Sequence, residues 1–190
     1  MEALLTSTTV VALAEIGDKT QLLAILLATR FKRPVPIILG IFFATIANHF
    51  LAAMVGHQIA SILDGDWFRY IIAAGFILMA GWTLIPDKLD DEDEKPSRFG
   101  AFTTTLIAFF LVEMGDKTQI ATVALGAQFS SVFAVTAGTT IGMMIANVPA
   151  VIFGNALIKR IPMGVIRYIA AALFLVIGVW VLWQTLSAAG

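Results

Sequence analysis

The chain of 190 residues is strongly apolar, with 59% hydrophobic residues, 13% charged residues and a mean hydropathy of +0.91. Soluble domains are about 45–50% apolar and about 25% charged, so this composition predicts an integral membrane protein with little mass outside the bilayer. The net charge of −1 is uninformative about partners, but the sequence has no basic patch for nucleic acid. The absence of cysteine excludes disulfides and thiolate metal sites.

Six apolar stretches follow one another along the chain, each of about 20 residues or more, the length that a bilayer core requires. They cover residues 3–29, 36–60, 68–86, 101–127, 131–157 and 164–186. Short polar segments separate them, and the longest, 87–100, is acidic and is interpreted as a solvated cytoplasmic linker. The sequence thus predicts an all-α membrane protein with six transmembrane helices in one transmembrane domain.

The distribution of Lys and Arg indicates the orientation, because cytoplasmic loops are enriched in these residues. Nine of the ten that lie outside the two "GDK" words fall in or at the edge of the breaks after spans one, three and five. These three breaks share one face of the membrane, and only Arg69 lies on the other. We therefore expect both termini on the non-cytoplasmic side.

The chain repeats itself at an offset of 98 or 99 residues. The matched words are "AEIGDKTQ" at 14–21 and "VEMGDKTQ" at 112–119, "AN" at 47–48 and 146–147, and "RYIIAAGF" at 69–76 and "RYIAAALF" at 167–174. They predict two copies of a three-helix unit, residues 1–86 and 101–190. Because three is odd, the second copy enters the membrane from the opposite side, as in the inverted repeats of many secondary transporters.

Each copy of the longest word places a glutamate, an aspartate and a lysine in the middle of a span. A charged residue there costs roughly 2.5–3.5 kcal/mol, so six isolated ones would cost about 15–20 kcal/mol. We therefore expect them to face one another or a wet cavity, with four carboxylates converging at the bilayer midplane: Glu15, Asp18, Glu113 and Asp116. Gly17 and Gly115 would permit close helix approach or a local helix break.

Such a site offers oxygen ligands, which suit hard cations such as Ca²⁺ and Mn²⁺; Mg²⁺ fits less well because it gives up its water reluctantly. Four carboxylates and two lysines sum to −2, which one divalent cation would neutralise. Crowded carboxylates share protons when the metal is absent, so metal entry would displace protons. The hypothesis is antiport of a divalent cation against protons, with no prosthetic group and no enzymatic reaction.

Other polar residues of the spans are predicted to line the metal path or to support the ligands. They are Lys19, Thr20, Gln21, Lys117, Thr118, Gln119, Asn48 and Asn147. The lysines would serve as counter-ions without metal, and the asparagines either complete the coordination shell or form interhelical hydrogen bonds. His49 corresponds to Val148 and is interpreted as cavity-facing or hydrogen-bonded rather than as an essential ligand. The word "GTTIG" at 138–142 predicts close helix packing, within the molecule or in a homodimer.

The words "EIGDKTQ" and "EMGDKTQ" resemble the Glu-x-Gly-Asp-Lys/Arg-Thr/Ser signature of the second calcium:cation antiporter family. That family includes Golgi and chloroplast manganese/calcium transporters and bacterial manganese exporters. The resemblance covers essentially the whole chain and implies metal binding by Glu15, Asp18, Glu113 and Asp116. Gln21 and Gln119 would line the path. The short chain is similar to the bacterial branch, which implies Mn²⁺ export across the inner membrane driven by protons. The resemblance leaves Ca²⁺ open as the alternative substrate.

Several other functions compete with antiport. A passive divalent-cation channel would move metal without protons, and an exporter of small organic solutes would ignore metals. An intramembrane aspartyl protease would use a Gly-x-Gly-Asp pattern, whereas Glu15 and Glu113 stand two residues before each glycine here, and the adjacent lysines oppose a shared proton. A membrane scaffold would keep its function when the carboxylates are neutralised.

Overall fold

The computed structural model describes residues 1–63, 66–85, 99–154 and 163–189, and its regular structure in these ranges is entirely helical. The helices are α1 (Glu2–Glu15), α2 (Lys19–Phe31), α3 (Pro34–Ile62), α4 (Asp66–Thr83), α5 (Ala101–Glu113), α6 (Lys117–Gln128), α7 (Val132–Phe153) and α8 (Met163–Ala189). Most of the predicted acidic linker, residues 87–98, lies outside the described residues. The prediction of an all-α protein is confirmed for the part that the structure describes.

The first predicted span of each predicted repeat contains two helices rather than one. The helix pairs α1–α2 and α5–α6 are each interrupted at the repeated word, which is the local break that the glycines permit. Among the described residues, three helices are long and apolar enough, by length and composition, to cross a membrane: Pro34–Ile62, Val132–Phe153 and Gly164–Ser187. Two further apolar helices, Trp67–Thr83 and Ala101–Glu113, are shorter.

The polarity of the molecule is that of a membrane protein. Large apolar side chains cover its outside; Leu78 and Phe133, for example, are 75% and 78% exposed. Buried polar side chains, including the carboxylates of both repeated words, lie inside. A water-soluble protein would not arrange its surface this way, whereas lipid favours it. The chain is an integral membrane protein.

Helices from the two parts of the sequence repeat alternate in the packing, so that each repeat contacts the other extensively. Helices α1 and α2 contact α7, whereas α5 and α6 contact α3. Thus the helix pair that contains each repeated word packs on the long helix that follows the other word along the chain. Helix α3 also packs on α7, and α4 packs on α8.

Glycines at equivalent positions allow this close packing. Gly138 of α7 lies against the backbone of Leu4 and the side chain of Ser7 in α1. Gly40 of α3 lies in the same way against Phe102 and Thr105 of α5. Each of the three residues of one contact is separated by 98 positions from its counterpart in the other. The prediction of close packing at "GTTIG" is confirmed, and this packing lies within the molecule.

Candidate cation-binding site

The glycine of each repeated word lies in the break between two helices. Gly17 and Gly115 have φ angles of 85° and 80°, in the left-handed region that other residues rarely adopt. The Gly17 N–H donates to Oε1 of Gln21 at 2.9 Å, and the Gly115 N–H donates to Oε1 of Gln119 at 2.6 Å. The glutamine four residues later therefore satisfies a backbone donor that the break would otherwise leave unpaired.

The break also places the two carboxylates of each word at helix ends. Glu15 and Glu113 are the last residues of α1 and α5, while Asp18 and Asp116 are the N-cap residues of α2 and α6. The backbone N–H of each aspartate donates to the carbonyl of the preceding glutamate, at 3.0 and 3.1 Å. Each aspartate thus stands at a positive helix N-terminus, which favours an anionic side chain.

A substitution at Gly115 tests this backbone geometry. A Cβ atom there would meet nothing within 4 Å, so the Cβ itself causes no clash and the left-handed backbone is the expected source of destabilisation. We expect Gly115→Val to lower the free energy of unfolding by at least about 1–2 kcal/mol and Gly115→Asn by less, because asparagine tolerates this region. Thermal unfolding of the detergent-solubilised variants measures the difference; equal losses for the two would contradict this account.

The four carboxylates all lie in the interior, where the exposed fraction is 0% for Glu15, 3% for Asp18, 2% for Glu113 and 3% for Asp116. Glu15 is close enough to Glu113 and Asp116 to interact electrostatically with both. The structure thus brings carboxylates of the two words into one region. In the described ranges, no three His, Cys, Asp or Glu side chains are grouped as ligands of a single metal ion.

The two lysines are placed differently. Lys19 Nζ lies 3.1 Å from Asp116 Oδ1, so an ion pair joins the first word to the second. The Lys19 side chain keeps 26% of its surface exposed. Lys117 is buried, and its Nζ donates to the carbonyl of Ile85, just beyond α4, at 3.0 Å. The equivalent lysines of two similar words therefore have different surroundings.

Around Glu15, the supporting groups come from α7. Asn147 Nδ2 donates to Glu15 Oε1 at 3.2 Å and also lies 3.1 Å from the Met143 carbonyl. Gln21 Nε2 donates to the carbonyl of Ala146 at 3.0 Å. Asn147 therefore makes the predicted interhelical hydrogen bond, and its partner in that bond is a candidate metal ligand. A role in the coordination shell stays a prediction.

Around Glu113, the supporting groups come from α3 and α6. Asn48 Nδ2 donates to the carbonyl of Phe110 at 3.2 Å, and Asn48 Oδ1 accepts from Gln119. Thr118 donates to Glu113 Oε1. Asn48 thus forms interhelical hydrogen bonds, and these bonds hold the second word in place.

His49 lies beside one of the candidate ligands. Its Nε2 lies 3.4 Å from Glu113 Oε1, and the side chain is fully buried. The hydrogen-bonded environment expected for it is confirmed, but its partner is one of the candidate ligands. The available signal was its position beside Asn48 in an apolar span.

Several oxygens of the site are available to a cation. Among the described residues, no hydrogen-bond partner is present for Glu15 Oε2, Glu113 Oε2, Asp116 Oδ2 or Asn147 Oδ1. Buried polar atoms are normally satisfied, so an unpaired group of carboxylate and amide oxygens is chemically suited to a positive ligand.

Buried acidic groups on interrupted helices, inside a protein with an apolar exterior, define a membrane transporter of cations. The sequence model of the family described as "Divalent cation/proton antiporter GDT1" matches residues 3–91 and 101–189. The chain belongs to this family. Its members are transporters and not enzymes.

Individual relatives agree with this assignment. A Vibrio cholerae protein named "Putative manganese exporter" is 52% identical over 176 residues, which are 92% of this chain and 88% of that protein. A GDT1-like protein of Synechocystis is 27% identical over 93% of this chain and 95% of its own length. GDT1-like protein 5 of Arabidopsis thaliana is 25% identical, covering 88% and 89%. No solved structure matches the chain.

Proposed function

We propose that this protein exports Mn²⁺ from the cytosol in exchange for protons, with Ca²⁺ as the second candidate substrate. The observation that carries the proposal is that charged side chains of the two repeated words lie close together in the interior. Lys19 of the first word pairs with Asp116 of the second, and Glu15 lies within electrostatic reach of Glu113 and Asp116. The family's cation/proton exchange and the name of the Vibrio relative support the choice of substrates.

The exchange follows from charge balance in a medium of low dielectric constant. Neighbouring buried carboxylates repel one another when all are ionised. Either a bound cation compensates their charge, or some of them take up protons. In our proposal Glu15, Asp18, Glu113 and Asp116 bind the metal, and Lys19 compensates Asp116 when the metal has left. Entry of a divalent cation from the cytosol displaces protons, and proton entry from the other side displaces the cation.

The proposed topology is six spans arranged as two inverted three-helix repeats, residues 1–86 and 101–190. It is supported by the helix pairs α1–α2 and α5–α6, each of which is read as one interrupted span, and by the equivalent packing of Gly40 and Gly138. The two ranges that match the family model begin at residues 3 and 101, which is the same offset of 98 residues. We place the protein in a bacterial inner membrane with both termini outside the cytoplasm, following the Lys and Arg distribution.

Purified protein in sealed liposomes that contain a pH-sensitive dye tests the proposal. External Mn²⁺ should raise the internal pH as protons leave, and Asp116→Asn should reduce this flux at least about 100-fold because it removes a ligand charge. The asparagine has nearly the same shape as the aspartate, so size-exclusion chromatography is expected to show a normal profile.

The alternatives give different results in the same liposomes. Metal entry at unchanged internal pH, with the membrane potential clamped, would support a channel. A folded protein that moves neither Mn²⁺ nor Ca²⁺ would rule out cation antiport and leave an organic solute as the substrate. Full exchange by Asp116→Asn would contradict the assigned ligand set.

A further inference from the structure

One polar side chain at the centre of the molecule has no equivalent in the other half. His49 follows Asn48 in α3, and the residue that follows Asn147 in α7 is Val148. His49 is fully buried, whereas Val148 is partly exposed and contributes to an apolar groove that includes Phe42. The surroundings of the two carboxylate pairs therefore differ chemically.

The contacts of His49 place a ring nitrogen beside a carboxylate oxygen of Glu113. Its Nε2 lies 3.4 Å from Glu113 Oε1, which also accepts from Thr118. Among the residues that the structure describes, neither His49 Nδ1 nor Glu113 Oε2 has a hydrogen-bond partner. The atoms that can act together are His49 Nε2 and Glu113 Oε1, because their separation of 3.4 Å allows both to bind one cation while Nδ1 carries the ring proton. Glu113 Oε2, which has no partner, offers that cation a further oxygen.

We propose that His49 supplies a nitrogen ligand to the transported metal beside Glu113 and thereby favours Mn²⁺ over Ca²⁺. This inference rests on the proposed function. Calcium takes oxygen ligands, whereas imidazole nitrogen binds first-row transition metals, so a nitrogen donor in place of an oxygen donor weakens Ca²⁺ more than Mn²⁺. Beside Glu15, by contrast, Asn147 offers an amide oxygen, Oδ1, and no ring nitrogen.

Equilibrium binding to the purified protein tests the assignment without relying on transport. Mn²⁺ binding is measured by electron paramagnetic resonance as loss of the free aqueous Mn²⁺ signal, and Ca²⁺ binding by titration calorimetry. His49→Val copies the residue of the other half. It should lower Mn²⁺ affinity about tenfold or more while changing Ca²⁺ affinity less than about threefold. His49→Asn supplies an oxygen donor and should raise Ca²⁺ affinity relative to Mn²⁺.

A matched control removes the second histidine of the chain. His57 lies on the same helix, eight residues after His49. The substitution His57→Val should leave both affinities unchanged. Equal losses of Mn²⁺ and Ca²⁺ in His49→Val that His49→Asn does not reverse would show a packing role and overturn the inference. Unchanged Mn²⁺ affinity in a folded His49→Val protein would overturn it too. Wild-type protein that binds neither ion would instead overturn the proposed function.

Discussion

Replacing Glu15 with glutamine is expected to lower metal-driven proton exchange at least about 100-fold while leaving the fold intact. Glu15 is fully buried, and its Oε1 accepts a hydrogen bond from Asn147 that a glutamine oxygen can also accept. The substitution therefore keeps the shape and the interhelical contact but removes one negative charge from the ligand set. The loss in exchange then reports on charge rather than on folding.

The experiment uses the proteoliposome assay with external Mn²⁺, together with thermal unfolding of each variant. Glu2→Gln is the matched control, because Glu2 is an exposed glutamate at the start of the same helix. It should exchange like the wild type. Glu113→Gln, the equivalent change in the second word, should lose activity as Glu15→Gln does. Exchange by Glu15→Gln at more than half the wild-type rate would remove Glu15 from the proposed ligands.

The burial of the four carboxylates could be predicted from the sequence, because an isolated charge in an apolar span is costly. A charged group in a span must find a partner or water, and two matched words at a fixed offset indicate where the partners are. The helix break was predicted only as one of two options. A glycine permits both a break and close packing, and the chain uses Gly17 and Gly115 for the first and Gly138 for the second.

Partner choice between helices could not be predicted from periodicity. An apolar span shows little polar contrast around its surface, so the sequence does not reveal that α1 packs on α7 or that α3 packs on α5. This partner choice decides which side chains meet Glu113. The contact with His49 therefore became visible only in the structure.

The two equivalent lysines have different partners in this conformation of the chain. Lys19 is partly exposed and pairs with Asp116, whereas Lys117 is buried against the carbonyl of Ile85. In the proposed arrangement of inverted repeats, the site opens to one side of the membrane at a time and the two repeats adopt different conformations. The sequence shows their similarity, while the difference belongs to the conformation.

Adding a single methyl group at either of two equivalent glycines is expected to destabilise the protein by about 1–3 kcal/mol. In Gly138→Ala the new Cβ would lie 2.5 Å from the Leu4 carbonyl oxygen, and in Gly40→Ala 2.9 Å from that of Phe102. These neighbours are backbone atoms, which cannot turn aside as a flexible side chain can. In Gly138→Ala, helix α1 must therefore move away from α7, and in Gly40→Ala, helix α5 must move away from α3.

Thermal unfolding in detergent, with Gly75→Ala as the control, measures this effect. A Cβ at Gly75 of α4 would meet nothing within 4 Å, and alanine is the better helix former by about 1 kcal/mol, so the control should be neutral or more stable. Similar losses at Gly40 and Gly138 would mean that both cross-half contacts bear on stability equally, as an inverted repeat requires. A loss at only one of them, or a loss at Gly75 as large as at Gly138, would contradict the equivalence of the two contacts.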